Sequence, residues 1–216
     1  TYVYHTTHNL RAPIANVKGL LEMLESELDS QERKQLLNFA KTNIESLDRT
    51  ISHILQYSYN NRMEIFHEKV ALKDVVDKVI QELTYMDRHA KISLQNDIPQ
   101  DLVLFSDEER LKMICQNLLS NAIKYIDIQK SNPFVHINTQ IVGTEVRIIF
   151  RDNGQGIASE YQEKIFQMFF RALDHGKGSG LGLYIVKEAL RQLGGSITLE
   201  SQLGTGSTFI IRLPLY

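Results

Sequence analysis

Apolar side chains recur at alternating intervals of three and four residues through the first 60 residues, which restricts this part of the chain to long helices. The polar segment LDSQER divides the repeat into two runs. Such spacing is typical of amphipathic helices, so the sequence predicts an antiparallel helical hairpin. Two helices cannot bury both apolar stripes alone, which favours dimerisation into a four-helix bundle. The repeat positions are Val3, Thr7, Leu10, Ile14, Val17, Leu21, Leu24 and Leu28, then Leu37, Ala40, Ile44, Leu47, Ile51, Ile54 and Ser58.

On periodicity alone this segment is a dimerisation element, but the first helix also carries a histidine just outside its apolar stripe. His8 is followed five residues later by Pro13. A proline inside a helix removes a backbone donor and crowds the carbonyl four residues earlier, here that of Asn9, which predicts a bend. With an ordinary pKa of about 6.5, a neutral imidazole is a competent nucleophile at pH 7. His8 is therefore a candidate nucleophile, whereas His5 has no motif around it and is expected at the surface.

The pattern changes after about residue 62, where short strand signals alternate with helical ones. Helices and mostly antiparallel strands together predict an α+β sandwich with the helices on one face of the sheet. The irregular stretch from Asn153 to Gly180 is expected to form a mobile lid. Strands are predicted over 63–72, 91–98 and 102–107, in a hairpin over 134–152 that turns at Gly143, and in a hairpin of 196–201 with 207–215; helices are predicted over 73–90, 108–126 and 181–195.

Charge and cysteine content exclude several classes of protein. The formal net charge is −2 and no run of Lys and Arg stands out, which argues against nucleic acid as a partner. The single cysteine, Cys115, excludes an internal disulfide framework and fits a reducing compartment. No apolar run approaches the roughly 18 residues of a membrane span. Because the chain begins without Met inside a helical pattern, we expect a fragment of a longer protein, in a reducing compartment such as the cytoplasm, that makes no membrane contact itself.

The predicted helix over 108–126 carries amides and cations on one face. Asn117, Asn121 and Lys124 share a stripe with Arg110, opposite an apolar face that includes Leu118. Amide oxygens can ligate Mg²⁺, and lysine can neutralise phosphate. For an isolated helix, a solvated polar face would explain the stripe equally well.

Glycine-rich segments follow this helix in a fixed order. RDNGQGI places Asp152 at the end of a strand, where its carboxylate can accept a hydrogen bond from an exocyclic amine such as that of adenine. GKGSGLGL opens a helix, whose first amides can bind phosphate. GTGSTF adds a further turn near the end of the chain. A lone Gly-x-Gly-x-Gly would fit any flexible loop, so the ordered set carries the signal.

In order, NLLSNAIKY, DNGQGI, IFQMFFRA, GKGSGLGL and GTGSTF resemble the N box, first glycine box, F box, second glycine box and last glycine box of sensor histidine kinases. These kinases are a branch of the gyrase, chaperone and MutL ATPase superfamily. HNLRAPI resembles their H box. The resemblance implies an α+β protein in which residues 1–60 form the dimerisation and phosphoacceptor hairpin, a dimeric four-helix bundle. Residues 61–216 would form the catalytic and ATP-binding domain, an α/β sandwich of Bergerat type.

The resemblance also assigns site residues. It makes His8 the phosphoacceptor, with Asn9 and Arg11 beside it as catalytic residues, and Asn121 the Mg²⁺ ligand. Asn117 and Lys124 would contact phosphate, Tyr125 would lie along the adenine, and Asp152 would bind its amino group. Phe166, Phe169, Phe170 and Arg171 would anchor and arm the lid, although core packing explains Phe166 equally well. The remaining nucleotide-binding positions are Gly154, Gly156, Gly178, Ser179, Gly180, Leu181, Gly182 and Thr208.

The activity implied is that of a homodimeric two-component kinase, which transfers phosphate from Mg-ATP to His8 and then to an aspartate of a response regulator receiver domain. Two positions depart from the family pattern. Asn9 replaces the usual carboxylate after the histidine, and its amide cannot accept a proton at neutral pH. Since general-base help is worth on the order of 10²–10⁴ in rate, autophosphorylation should be slow unless another base acts. Ala12 replaces the usual polar residue four places after the histidine, which predicts weak phosphatase activity.

Two other functions compete with this one. A clamp ATPase of the same superfamily needs a glutamate on the 108–126 helix to activate water, but Asn117 and Asn121 occupy that stripe. A dimeric scaffold that binds nucleotide without transferring phosphate would account for Asn9. The complete set of glycine boxes argues against it.

Overall fold

The computed structural model describes residues 2–24, 29–62, 64–86, 92–172 and 179–215; of residues 2–10, 12–13, 49, 59–62 and 85–86 it describes the backbone alone. Helix α1 spans Tyr2–Leu24 and helix α2 spans Ser30–Arg62, and the two pack against each other as the predicted hairpin. A reciprocal cap starts α2. The Asp29 carboxylate accepts hydrogen bonds from the amides of Gln31 and Glu32, both at 2.8 Å. The Glu32 carboxylate accepts from the Asp29 amide at 3.2 Å. Helix α1 continues through Pro13 without a break in its helical backbone.

The heptad positions of the hairpin divide into two sets. One set points between the two helices and is buried or half-buried: Val17, Leu24, Ala40, Leu47 and Ile54. The other set, which we call the outer stripe, is 42–53% exposed: Ile14, Leu21, Leu37, Ile44 and Ile51. Among the heptad positions whose side chains are described, a single hairpin therefore leaves half of the apolar ones in solvent. Within the described residues, no helix is long and apolar enough to cross a lipid bilayer.

The rest of the chain forms the predicted layer of helices on one face of a sheet. Five strands pair in the order β2-β4-β5-β7-β6, and β1 and β3 form a separate antiparallel pair. Among the described strands of the large sheet, β2 and β4 pair in parallel and the other pairs are antiparallel. The bounds are β1 Glu68–Ala71, α3 Leu72–Met86, β2 Ser93–Asn96, β3 Val103–Ser106, α4 Glu108–Lys124, β4 Phe134–Val142, β5 Glu145–Asp152, α5 Gly182–Gln192, β6 Ser196–Gln202 and β7 Gly206–Pro214.

Alternation along β5 and β7 explains why only one face of the sheet is covered. Every second side chain of these strands is buried beneath α3, α4 and α5, and those between are partly or fully exposed. The buried set is Val146, Ile148, Phe150, Phe209, Ile211 and Leu213. The fold prediction of a helical hairpin followed by an α/β sandwich is confirmed. At the C-terminal end of the central strand β5, the last residue on the buried face is a polar one, Asp152.

Candidate nucleotide site

Asp152 ends β5 as a buried carboxylate, with 9% of the residue exposed. One of its oxygens, Oδ1, accepts a hydrogen bond from the Gly154 amide at 2.8 Å. Burial raises the pKa of Asp152, and backbone hydrogen bonds from Gly154 and Ser207 and the charge of Lys130 partly offset that effect. The Asp152 carboxylate is thus a fixed hydrogen-bond acceptor at the end of the central strand, suited to an N–H donor of a ligand.

Three segments meet around Asp152 so closely that only glycine fits between them. A side chain on Gly206 would collide with the Asp152 carbonyl, and one on Gly154 would collide with the carbonyl of Tyr125 at the end of α4. Gly156 lies against the carbonyl of Gln202 on β6. Gly156 and Gly206 also have φ of +67° and +134°, which side chains disfavour. These glycines let the first and last glycine boxes pack against the end of α4.

The N-terminus of α5 lies against the amides of α4. A Cβ atom on Gly182 would lie 2.7 Å from the Asn117 side-chain oxygen and 4.0 Å from the Asn121 side-chain nitrogen. Asn117 is buried and donates its own amide hydrogen to the Met113 carbonyl at 2.8 Å. The structure therefore brings together Asn117, Asn121 and the second glycine box, which the sequence placed 60 residues apart.

The two described ends of the lid segment are joined by backbone contacts. The Phe169 amide donates to the Gly180 carbonyl at 2.9 Å, and a side chain on Gly180 would lie 2.7 Å from the Phe169 carbonyl carbon. Phe169 has φ of +63°, a left-handed conformation that is rare and strained for a side chain of this size. Arg171 is exposed beyond this junction. Gly178 lies outside the described residues.

Residues 106–216, more than half of the chain, match the family model of histidine kinase-, DNA gyrase B- and HSP90-like ATPases. Residues 2–61 match the His Kinase A (phospho-acceptor) domain. The chain belongs to the histidine kinase family.

Curated and solved histidine kinases resemble the chain along nearly its whole length. Sensor histidine kinase AtsR of Burkholderia thailandensis is 30% identical over 97% of the chain and 36% of its own length. The adaptive-response sensory kinase SasA of a Synechocystis species is 31% identical over 97% of the chain and 57% of its own length. The sensor protein kinase GraS of Staphylococcus aureus is 30% identical over 96% of the chain and 58% of its own length. The chain thus spans about a third to three fifths of these relatives.

Solved histidine kinase structures share the fold. The Acinetobacter baumannii histidine kinase AdeS superposes with a TM-score of 0.74 at 25% identity, covering 96% of this chain and 98% of that one. Histidine kinase ThkA, solved in complex with response regulator protein TrrA, superposes with a TM-score of 0.76 at 25% identity, covering all of this chain and 61% of that one. The chain has the two-domain catalytic core of a two-component histidine kinase.

In this histidine kinase core, the H box lies on α1. Its backbone is helical at His8, Asn9 and Arg11, and the Arg11 side chain is exposed. The side chains of His8 and Asn9 lie outside the described residues, so their predicted roles remain predictions.

Lys124 and Tyr125 interact with each other at the end of α4. The Lys124 ammonium donates to the Tyr125 hydroxyl at 2.8 Å and lies 4.4 Å from the centre of its ring. Tyr125 is 38% exposed, and its carbonyl accepts from the Gln155 amide at 3.0 Å. Tyr125 thus contacts the loop that follows Asp152, and the Lys124 ammonium lies over the tyrosine ring.

Asn121 has the chemistry expected of a sparse magnesium site. Among the described residues, no group of three or more His, Cys, Asp and Glu could hold a metal ion. Mg²⁺ in nucleotide sites commonly keeps several waters and binds phosphate oxygens plus one or two protein oxygens. A single amide oxygen from Asn121, whose side chain lies near the N-terminus of α5, would fit that donor set.

Thr208 is not brought to the site, because the strand alternates. Asp152 faces Ser207 in the β5–β7 register, and Ser207 and Phe209 share its buried face. Thr208 pairs with Arg151 and lies on the other face of the sheet. Ser207 is the residue that sequence reasoning missed. Counting back two residues along β7 from the buried Phe209 would have found it.

Two other residues singled out in the sequence, Arg110 and Phe166, make structural contacts away from the candidate site. Arg110 does not act with Asn117: it forms a buried ion pair with Asp107 and donates to the Glu64 carbonyl at 3.4 Å and to Gln192 at 3.2 Å. It fastens the segment that joins the two domains. Phe166 packs edge-on against Phe209 in the core, with ring centres 6.5 Å apart.

Helix α2 reaches the second glycine box through a residue that the sequence did not single out. His53 Nδ1 lies 2.5 Å from the Ser179 hydroxyl, which also accepts from the Leu181 amide at 3.3 Å. One turn further along α2, the Tyr57 ring lies 5.7 Å from the ring of Tyr184 on α5. Leu181 itself is buried and anchors the start of α5. The ATP-binding domain is therefore docked on the hairpin through α5.

Proposed function

We propose that the chain transfers the γ-phosphoryl group of ATP to His8 and passes it on to an aspartate of a response regulator receiver domain. One observation carries the proposal. The buried Asp152 carboxylate lies between two glycine turns, in a chain whose first helix matches a phospho-acceptor domain. ThkA, which resembles the chain throughout, was solved with a response regulator, and this supports the same class of partner here.

Nucleotide recognition would begin at Asp152, whose carboxylate accepts a hydrogen bond from the adenine amino group. Tyr125 would lie along the ring, and Ser207 would act with Asp152, with which it pairs in the β5–β7 register. The phosphates would contact Asn117, Lys124 and the first amides of α5. Phe169, Arg171 and Ser179 would lie over them.

Magnesium would be held by Asn121 and would neutralise the negative charge on the phosphates. The protein would add the positive end of the α5 dipole and its free amides, which are available at any helix N-terminus. Gly180, Leu181 and Gly182 supply this part of the site. Gly182 suits the position because a side chain there would collide with Asn117.

The transfer step requires a nitrogen of His8 to attack the γ-phosphorus in line with the leaving group. A nitrogen–phosphorus bond forms as the bond to the β,γ-bridging oxygen breaks, ADP leaves, and the ring loses its N–H proton. Asn9 can hold that N–H through its carbonyl oxygen but cannot take the proton. Arg11 places a cation within one helical turn of His8. We therefore expect autophosphorylation to be slow and, because of Ala12, phosphatase activity to be weak.

A second copy of the chain would cover the outer stripe and complete a four-helix bundle. Five exposed apolar side chains at heptad positions support this homodimer. In this proposal residues 1–60 form the dimerisation and phosphoacceptor domain and residues 61–216 the ATP-binding domain. A cytoplasmic setting follows from the need for ATP.

The test is incubation with Mg²⁺ and γ-labelled ATP, comparing the native chain with His8→Gln and scoring acid-labile label. We expect label on the native chain and none on the variant. Equal label on both chains would contradict the assignment of His8. Bound ATP without label would favour a nucleotide-binding scaffold, the function that Asn9 supports.

A further inference from the structure

Lys130 lies in the turn after α4, and its ammonium is surrounded by backbone carbonyl oxygens. Nζ is 2.7 Å from the carbonyl oxygen of Asn153, 2.8 Å from that of Gly204, and 3.2 Å from those of Gly154 and Thr205. An ammonium has three N–H donors, so four acceptors saturate it. We call these four oxygens the carbonyl cage.

The carbonyl cage is built from the two turns that flank Asp152. Asn153 and Gly154 follow the aspartate directly, and Gly204 and Thr205 form the turn that leads into Ser207 on the facing strand. The same turns also contact each other, since the Gly204 amide donates to the Gln155 carbonyl at 2.6 Å. Lys130 therefore joins the loop after the carboxylate to the strand opposite it.

Four carbonyl oxygens converging on one point repel one another unless a cation lies among them, because each carries the negative end of its dipole. Rings of carbonyl oxygens elsewhere in proteins bind potassium for the same reason. Here the chain supplies the cation itself. Without the ammonium, the two turns would separate or would take up a cation from solution.

We propose that Lys130 is a positioning residue for adenine recognition, holding the first and last glycine boxes in register so that Asp152 and Ser207 present one rigid acceptor edge. This inference rests on the proposed binding of ATP through Asp152. It goes beyond that function because Lys130 acts through the carbonyl cage and is not among the residues assigned to the ligand. The charge of Lys130 also favours the ionised form of Asp152, by opposing the effect of burial on its pKa.

The main test compares Lys130→Met with Lys73→Met. Lys73 is a matched control, because its ammonium also donates to a backbone carbonyl, that of Asn96 at 3.0 Å, away from the site. Calorimetry measures the binding of ADP and of inosine diphosphate, which lacks the adenine amino group. We expect Lys130→Met to weaken ADP binding about tenfold, because the hydrogen bond between the Asp152 carboxylate and the adenine amino group would be lost. The effect on inosine diphosphate, which cannot make that hydrogen bond, should be much smaller. Lys73→Met should leave both affinities unchanged.

A rescue experiment tests the carbonyl cage itself. Lys130→Ala should regain ADP affinity in ethylammonium or potassium chloride, but not in tetramethylammonium chloride of equal concentration, whose methyl groups cannot donate hydrogen bonds. Native ADP affinity and selectivity in Lys130→Met, or an equal loss for both nucleotides, would overturn the role of Lys130 while leaving the proposed function intact. Failure of the native chain to bind ADP at all would overturn both.

Discussion

His53 on the helical hairpin and Ser179 just before helix α5 share a hydrogen bond, with His53 Nδ1 2.5 Å from the serine hydroxyl. Ser179, three residues before the first residue of α5, is thus held by the hairpin that carries His8. The same hydroxyl accepts a hydrogen bond from the Leu181 amide. The contact with His53 therefore helps to fix the backbone conformation of the second glycine box.

Removing the imidazole should loosen the start of α5. His53→Ala is expected to raise hydrogen exchange at the amides of residues 179–184 several-fold, since a net hydrogen bond is worth about 1 kcal/mol. Lys41→Ala, an exposed change on the same helix, is the control. Unchanged exchange in His53→Ala would mean that the docking of α5 on α2 depends on other contacts, such as that of Tyr57 with Tyr184.

Asp152→Asn should separate binding from stability. Loss of the charged acceptor should weaken ADP binding roughly 10- to 100-fold by calorimetry. The thermal midpoint at pH 7 should stay level or rise, because the buried charge is removed and the asparagine oxygen can still accept from the Gly154 amide. A large fall in the midpoint would show that the ionised carboxylate stabilises the fold.

The pH dependence of the same variant follows from the raised pKa of Asp152. The folded state holds this proton more tightly than the unfolded state, so the contribution of Asp152 to the free energy of unfolding is greatest below its ordinary pKa of 3.8 and decreases as pH rises through the raised value. The stability difference between Asp152→Asn and the native chain should therefore move in favour of the variant over that range. Denaturant titrations at several pH values measure it, and a difference that is constant with pH would exclude the shift.

The H box departures predict gains of function. Asn9→Asp should raise the rate of autophosphorylation, as measured by acid-labile label on His8. A general base typically contributes on the order of 10²-fold or more in rate. Ala12→Thr should add phosphatase activity towards the phosphorylated partner. Asn9→Ala is the control, since it also removes the amide but supplies no base. If neither substitution raises its activity, both interpretations of the H box are wrong.

Charge on the outer stripe should prevent dimerisation. Ile44→Glu is expected to convert a dimer to a monomer in size-exclusion chromatography with light scattering, because two carboxylates would face each other in the seam. Phe39→Glu is the matched control: Phe39 is 60% exposed on the same helix but lies off the stripe. Dissociation by both variants would point to a surface other than the predicted one.

Cys115 should report on unfolding. The residue is 1% exposed, and burial raises the pKa of its thiol to about 12. A thiol reagent at pH 8 should therefore modify the native chain only at the rate at which α4 opens, and modify the chain in guanidinium at once. Rapid modification of the native chain would show that this core opens readily.

Local patterns in the sequence were enough to predict the hairpin, the glycine boxes and most strands. Heptad spacing, alternation and a turn at Gly143, which has φ of +61°, depend on residues near one another in the chain. The stripe of α4 was less informative, because helical spacing places Arg110 above Asn117 without showing that Asp107 and Glu64 surround it. Thr208 was chosen over Ser207 by motif rather than by strand alternation.

Contacts between distant segments could not be read in advance. Nothing near Lys130 or His53 in the sequence marks them, since their partners are 23–75 and 126 residues away. The separation of β1 and β3 from the large sheet likewise depends on which strands meet in space. Burial and pairing of this kind follow from the whole fold rather than from any window of residues.

The close contacts at Gly154, Gly156 and Gly206 also limit which substitutions could make this kinase resistant to an inhibitor. A compound seated against Asp152 would lie near walls made of backbone, where any larger residue collides with a carbonyl oxygen. Resistance by enlarging a wall residue would therefore disturb nucleotide binding as well. Escape substitutions should instead appear in side chains such as Tyr125, which is partly exposed and can change without moving the backbone, although its proposed contact with the adenine would then be lost.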